Sequence, residues 1–170
     1  MKLKFGILTV SDRSAAGIRE DLSGPALVRS VQEAGWLASQ TAVVADELQD
    51  IVDVLTLWSD DELCSVILTT GGTGFSPRDI TPEATRAVIE RDAPGLAEAM
   101  RAGSLQITPH AMLSRAVAGI RKKTLIINLP GSPKGALENF RIVAPVLVHA
   151  IQLLEDDEQA ELGHYPGRAI

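Results

Sequence analysis

The chain has 170 residues, 45% hydrophobic and 22% charged, which fits one domain able to bury a real core. A net charge of −6 argues against a nucleic-acid partner held by a broad basic surface. The single cysteine, Cys64, excludes an internal disulfide framework and a Cys-rich zinc site, and it suits a reducing compartment.

The opening "MKLKFGILTVSDR" has too short an apolar run for a secretory signal. "KFGILTV" (4–10) reads as a buried strand closed by the polar "SDRSAAG". "LSGPALVRSVQEAG" (22–35) reads as a helix, with Ser23 as candidate cap, Pro25 in the first turn and Gly35 just past the end. "LASQTAVVA" (37–45) suits a second strand, and Asp46 opens a helix with Leu48, Ile51, Val52, Leu55 and Trp58 at helical spacing. "SVILTT" (65–70) is a third buried strand that runs into "GGTGFSPRD". Thr81 and Pro82 form a cap and first-turn pair for "TPEATRAVIERD", and "PGLAEAMRAG" and "PHAMLSRAVAGIR" read as two more helices. "TLIINL" (124–129) is a strand with "PGSPKG" as its exit loop, and a long helix over about 135–155 carries Leu137, Phe140, Val143, Leu147 and Ile151 on one stripe. Pro145 is placed to kink that helix. The longest uncharged stretch near the end, "IVAPVLVHAIQLL", is too short for a membrane span, so the expectation is a soluble, cytoplasmic protein. Residues 155–170 read as a loose tail.

Strands alternating with helices predict an α/β fold with a mostly parallel sheet. Ligands in such folds bind outside the carboxyl ends of the strands. Three polar loops leave strand ends here, "SDRSAAG", "GGTGFSPRD" and "PGSPKG", and their convergence predicts a site.

The glycine loop is neither a P-loop, since no Lys-Ser or Lys-Thr pair follows, nor a dinucleotide fingerprint, since Pro77 stands where the third glycine belongs. A bare GGTG serves equally as a tight strand-to-helix turn or as a backbone cradle for an anion. Thr81 is the better helix cap, which leaves Asp79 as a candidate ligand for Mg²⁺ held between phosphates. Asp46 fits a capping box with Gln49, and capping alone accounts for it; Asp12 and Asp21 are equally readable as turn residues. Arg78, Arg115, Arg121, Lys122, Lys123 and Lys134 are the local positive charge an anionic ligand needs. Of these, "RKK" (121–123) reads as a solvated helix end, while Lys134 and Ser132 lie in a strand-exit loop. His110, His149 and His164 show no metal spacing.

"GILTVSDRSAAG", "LTTGGTGFSPRDITPEAT", "AMLSRAVAGIR" and "TLIINLPGSPKGA" together resemble the molybdenum-cofactor biosynthesis proteins of the Mog/MoaB type. The resemblance runs from about residue 3 to 154, taken as one domain (1–154). It implies a three-layer α/β/α sandwich, a homotrimer, and transfer of AMP from MgATP to molybdopterin with release of pyrophosphate. It implies that Asp46 and Asp79 are the acidic residues tied to catalysis, holding Mg²⁺. It implies a nucleotide and pterin pocket lined by Ser11, Asp12, Gly71, Gly72, Thr73, Gly74, Ser76, Arg78, Pro130, Gly131, Ser132 and Lys134, with pterin contacts from Ser114 and Arg115. A handover to the molybdate-inserting protein of the pathway is a further implication. A pterin-binding or scaffolding domain without turnover is the alternative.

Overall fold

The computed structural model describes residues 2–155, so the expected tail, His164 included, lies outside the described residues apart from Glu155. The strands are β1 (Lys4–Val10), β2 (Leu37–Val44), β3 (Val66–Thr70), β4 (Arg91–Asp92), β5 (Ala118–Arg121) and β6 (Thr124–Leu129), in one sheet of order β2-β1-β3-β6-β5-β4. The helices are α1 (Asp12–Ala15), α2 (Ser23–Glu33), α3 (Leu48–Asp60), α4 (Thr81–Val88), α5 (Pro94–Leu105) and α6 (Pro133–Leu154), with a short 3₁₀ helix at Pro109–Leu113.

β1, β2, β3 and β6 run parallel, and β5 and β4 complete one side as antiparallel strands. β3 and β6 are buried along their whole length because both sheet faces are covered. Val66 and Leu68 join the layer formed with α2, α5 and α6, whereas Ile67 joins the layer formed with α3 and α4. That two-sided burial is why these strands read as unbroken apolar runs. Phe5 stacks on Trp36 at 5.2 Å between ring centroids and meets Phe140 edge-on at 6.1 Å, which ties β1 to α6. α6 is the one helix among the described residues long and apolar enough to cross a membrane. Its Phe140, Val143, Leu147 and Ile151 are packed into the first core layer, and the helix continues through the exposed Pro145.

Several local expectations change. Ser23 does not cap α2; it is the first helical residue, and Asp21 caps by accepting from the amides of Ser23 (3.1 Å) and Gly24 (3.0 Å). Thr81 is likewise inside α4, where its buried hydroxyl donates to the carbonyl of Gly71 at 2.9 Å. The capping box at Asp46 does not form: α3 starts at Leu48, and Gln49 donates to Asp53 at 2.6 Å instead. "PHAMLSRAVAGIR" is not one helix. Pro109 and the β-branched and small residues after Arg115 yield the 3₁₀ turn, an extended segment and β5. "TPEATRAVIERD" stops being helical at Val88 and ends in β4. "RKK" is the tight turn from β5 to β6, with Lys122 at φ 51°, at the end of the sheet away from the strand exits of β1, β3 and β6.

Candidate functional site

β1 connects to β2 on one side, while β3 lies on its other side, so the sheet's topological switch falls between β1 and β3. The exits of β1, β3 and β6 meet there. Thr70 hydroxyl donates to the Pro130 carbonyl at 2.7 Å, and Gly71 amide donates to Leu129 carbonyl at 3.3 Å. Gly71 has φ 106° and Gly72 φ 63°, conformations that favour glycine. A Cβ on Gly131 would stand 3.1 Å from the Gly71 Cα, so the two loops touch backbone to backbone.

Arg115 holds this glycine loop in place. Its Nε donates to the Gly74 carbonyl and its Nη2 to the Asp79 carbonyl, each at 2.7 Å, while Nη1 pairs with Glu83. Its own amide donates to the Thr73 carbonyl at 2.9 Å. Buried Asn128 on β6 anchors the segment from behind, accepting from the Val117 amide at 3.2 Å and donating to Thr69 and Thr85.

Beside Gly72 lies a bonded group of carboxylates. Asp46 Oδ2 accepts from the Asp12 amide at 2.8 Å, and Asp12 Oδ1 accepts from the Asp46 amide at 3.0 Å. Arg78 grips Asp12 through Nε (3.0 Å) and Nη2 (2.9 Å), and Nη2 also reaches Glu47 at 2.7 Å. Arg78 holds the Asp12 carboxyl below its ordinary value. Burial raises that of Asp46, with the charges of Asp12 and Asp79 adding to the effect. Asp79 sits in the outer turn of the loop, where its Oδ2 accepts from the Ser76 amide at 2.9 Å.

Two cavities flank the loops. The first, about 320 Å³, is lined by Ser11, Thr70, Gly71, Gly131, Ser132 and the segment from Arg19 to Ser23. The second, about 290 Å³, is lined by Thr73, Gly74, Pro130, Ser132 and Ser114, with Arg101, His110 and Asn139 across from them. Ser132 lines both and caps α6, accepting from the Gly135 amide at 3.1 Å, so the amino end of a 22-residue helix points between them. Such a terminus favours anions. Neither wall includes Asp46, Asp79, Arg78 or Lys134. Lys134 is 81% exposed and pairs with Glu138 at 3.8 Å.

The family described as "Probable molybdopterin binding domain" matches residues 6–149. The chain belongs to this molybdopterin-binding family. MoaB of Thermus thermophilus, a molybdopterin biosynthesis enzyme, has the same fold at a TM-score of 0.86 and 49% identity, over 91% of this chain and 98% of that one. The molybdopterin adenylyltransferase of Helicobacter pylori strain J99 is 44% identical over 154 residues, 89% of this chain and 88% of its own. Gephyrin of Dictyostelium discoideum is 46% identical over 167 residues, 92% of this chain but 23% of its own, so the chain spans about a quarter of that protein.

In this molybdopterin-binding domain, sequence reasoning misses Thr9, Arg19, Asp21 and Arg101, which line the two cavities. Asp21 ties the first cavity together, since its Oδ2 accepts from the Thr9 hydroxyl at 2.6 Å while Oδ1 caps α2. The signal for Arg19 and Asp21 is their place further along the loop that leaves β1. Arg101 lies mid-helix, and nothing in its neighbours' spacing marks it; its Nη1 donates to the Ala116 carbonyl at 2.9 Å.

Proposed function

We propose that this chain, as one domain over 1–154, transfers AMP from ATP to molybdopterin in molybdenum-cofactor biosynthesis. The observation that carries the reading is the meeting of three strand-exit loops between two cavities, beside paired aspartates, in a chain similar over most of its length to a named molybdopterin adenylyltransferase. Two cavities joined at Ser132 suit two anionic reactants held end to end. A terminal phosphate oxygen of molybdopterin attacks the α-phosphorus of ATP; that oxygen–phosphorus bond forms, the α–β bridge bond breaks, and pyrophosphate leaves. No protein nucleophile is required, so positioning and charge stabilisation dominate.

The amides of Gly72–Gly74 and the α6 amino end would receive phosphate oxygens, with Ser11, Ser76 and Ser132 as hydroxyl partners. Ser114 would meet the pterin from the second cavity. Arg115 acts by holding the loop, and Lys134 reaches the phosphates only by leaving Glu138. Asp46 and Asp79 are hard oxygen donors that fit Mg²⁺. Mg²⁺ is commonly held by one or two carboxylates together with substrate phosphates and water. When bound, Mg²⁺ supplies charge neutralisation between the phosphates.

The same reading carries a cytoplasmic homotrimer and handover of the product to the molybdate-inserting protein. Leu105, Ile107, Met112 and Leu113, exposed around the end of α5, support a subunit contact. Sedimentation equilibrium should give three times the 18.1 kDa chain mass, and a monomer counts against the trimer. The deciding experiment for function incubates the purified chain with molybdopterin, ATP and Mg²⁺ and measures adenylylated pterin and pyrophosphate. Pterin binding without product would favour the non-catalytic binding module.

A further inference from the structure

The carbonyls of Gly71, Gly72, Thr73 and Gly74 are all held, and by two residues. The Thr81 hydroxyl donates to the Gly71 carbonyl at 2.9 Å, and the Thr81 amide donates to the Gly72 carbonyl at 3.1 Å. The amide and Nε of Arg115 take the carbonyls of Thr73 and Gly74 at 2.9 and 2.7 Å. In a trans peptide the N–H points opposite to the C=O it is joined to. The amides of Gly72, Thr73, Gly74 and Phe75 therefore each point to the side away from the residue that holds the carbonyl before them. Among the described residues none of these four amides donates to a protein acceptor. The amides on either side do, Gly71 to Leu129 and Ser76 to Asp79. Consecutive unpaired amides form a cradle for an oxyanion.

Glycine by itself does not fix that orientation. Gly71 at φ 106° and Gly72 at φ 63° lie in a region that glycine enters and leaves freely, so a peptide plane here turns over unless something holds its carbonyl. Thr81 is fully buried at the start of α4, and a Cβ on Gly72 would collide with its hydroxyl, so the side chain lies directly against the loop. We propose that Thr81 is a positioning residue: by holding the carbonyls of Gly71 and Gly72, it keeps the amides of Gly72 and Thr73 turned outward to receive phosphate oxygens. Being buried, it acts through the loop and not on a reactant. This deepens the adenylyl-transfer reading and rests on it for the source of the phosphate.

The test uses the full chain with Thr81→Val, which removes the hydroxyl at nearly constant volume, and Thr81→Ser, which keeps it. Val88→Ala, a core substitution at the far end of the same helix, is the control for lost stability. Circular dichroism melts verify folding. Pyrophosphate alone is titrated with a chelator present, so that no metal takes part, and binding is read from the amide NMR shifts of residues 72–75. Thr81→Val should bind pyrophosphate about tenfold more weakly, while Thr81→Ser and Val88→Ala stay within about twofold of the unaltered chain. Turnover should follow the same order, with kcat about tenfold lower in Thr81→Val and the KM for molybdopterin within about twofold. Unchanged pyrophosphate affinity or unchanged kcat in Thr81→Val overturns the proposal. So does a Thr81→Ser that fails to restore binding, or a Val88→Ala that weakens it equally, which is general loosening. An unaltered chain whose amides at 72–75 do not respond to pyrophosphate overturns it too. Thr81-dependent pyrophosphate binding in a chain that makes no adenylylated pterin would sink the adenylyl-transfer reading and leave the role of Thr81 standing.

Discussion

Asp12 and Asp46 exchange hydrogen bonds crosswise, each carboxylate accepting from the other's backbone amide at 3.0 and 2.8 Å. The pair fastens the exit of β1 to that of β2 and explains why Asp46 does not cap α3. Asp46→Asn keeps an acceptor for the Asp12 amide but removes the charge. Its melting temperature should stay near wild type while the adenylylation rate falls on the order of a hundredfold, about 2.7 kcal/mol. Asp46→Leu should lose activity and also about 1–3 kcal/mol of stability, because the Asp12 amide is left without its partner. Equal melting temperatures for the two variants would count against the structural half of this account.

Among the described residues, the Asp79 carboxylate accepts only from the Ser76 amide within its own turn. Asp79→Asn preserves that bond, so the fold should hold while turnover drops on the order of a hundredfold or more. Molybdopterin affinity, followed by fluorescence, should change much less. Near-normal turnover would remove Asp79 from the mechanism.

Arg115 reaches two loop carbonyls and Glu83 at once, which a lysine cannot do. Arg115→Lys should raise KM and lower kcat together and cost about 1–2 kcal/mol of stability. Faster amide exchange across residues 73–79 would show that the loop has loosened.

Cys64 is buried, and burial pushes its thiol up to about 11. Alkylation of the folded chain at pH 8 should be slow, and Cys64→Ala should leave turnover intact. Rapid labelling under native conditions would contradict that packing role.

Far from the site, Arg121 donates to both oxygens of Asp60 at 2.9 and 2.7 Å, holding that carboxyl down to about 2 from an ordinary 3.8. A depressed carboxyl stabilises the fold above its unfolded pKa and loses that contribution as pH falls through the folded one. Melting temperature should therefore fall between pH 3.8 and about 2, and Asp60→Asn should flatten that part of the profile.

The central strands are legible in the sequence because two-sided burial demands continuous apolar residues, and the site loops because they follow such runs. β5 is not, since its four residues, Ala-Gly-Ile-Arg, carry no period of their own and become a strand by pairing with β6 and β4. Thr81 and Ser23 mislead for one reason: a hydroxyl next to Pro or Gly signals a helix start, but the chain reaches its cap elsewhere, through Asp21 for α2 and with no side-chain cap for α4. The crosswise Asp12–Asp46 bonds join residues 34 positions apart, and no local pattern announces such a pair.

β6 comes last among the strands in the chain, yet it lies inside the sheet, between β3 and β5. During synthesis, the entirely buried Val66–Thr70 edge therefore waits unpaired until residue 129 has left the ribosome. That wait exposes an aggregation-prone edge. Both cavities need the β6 exit, so an incomplete chain lacks them both. Ligand at a hundred times its Kd adds about 2.7 kcal/mol, and that gain comes only after the sheet has closed.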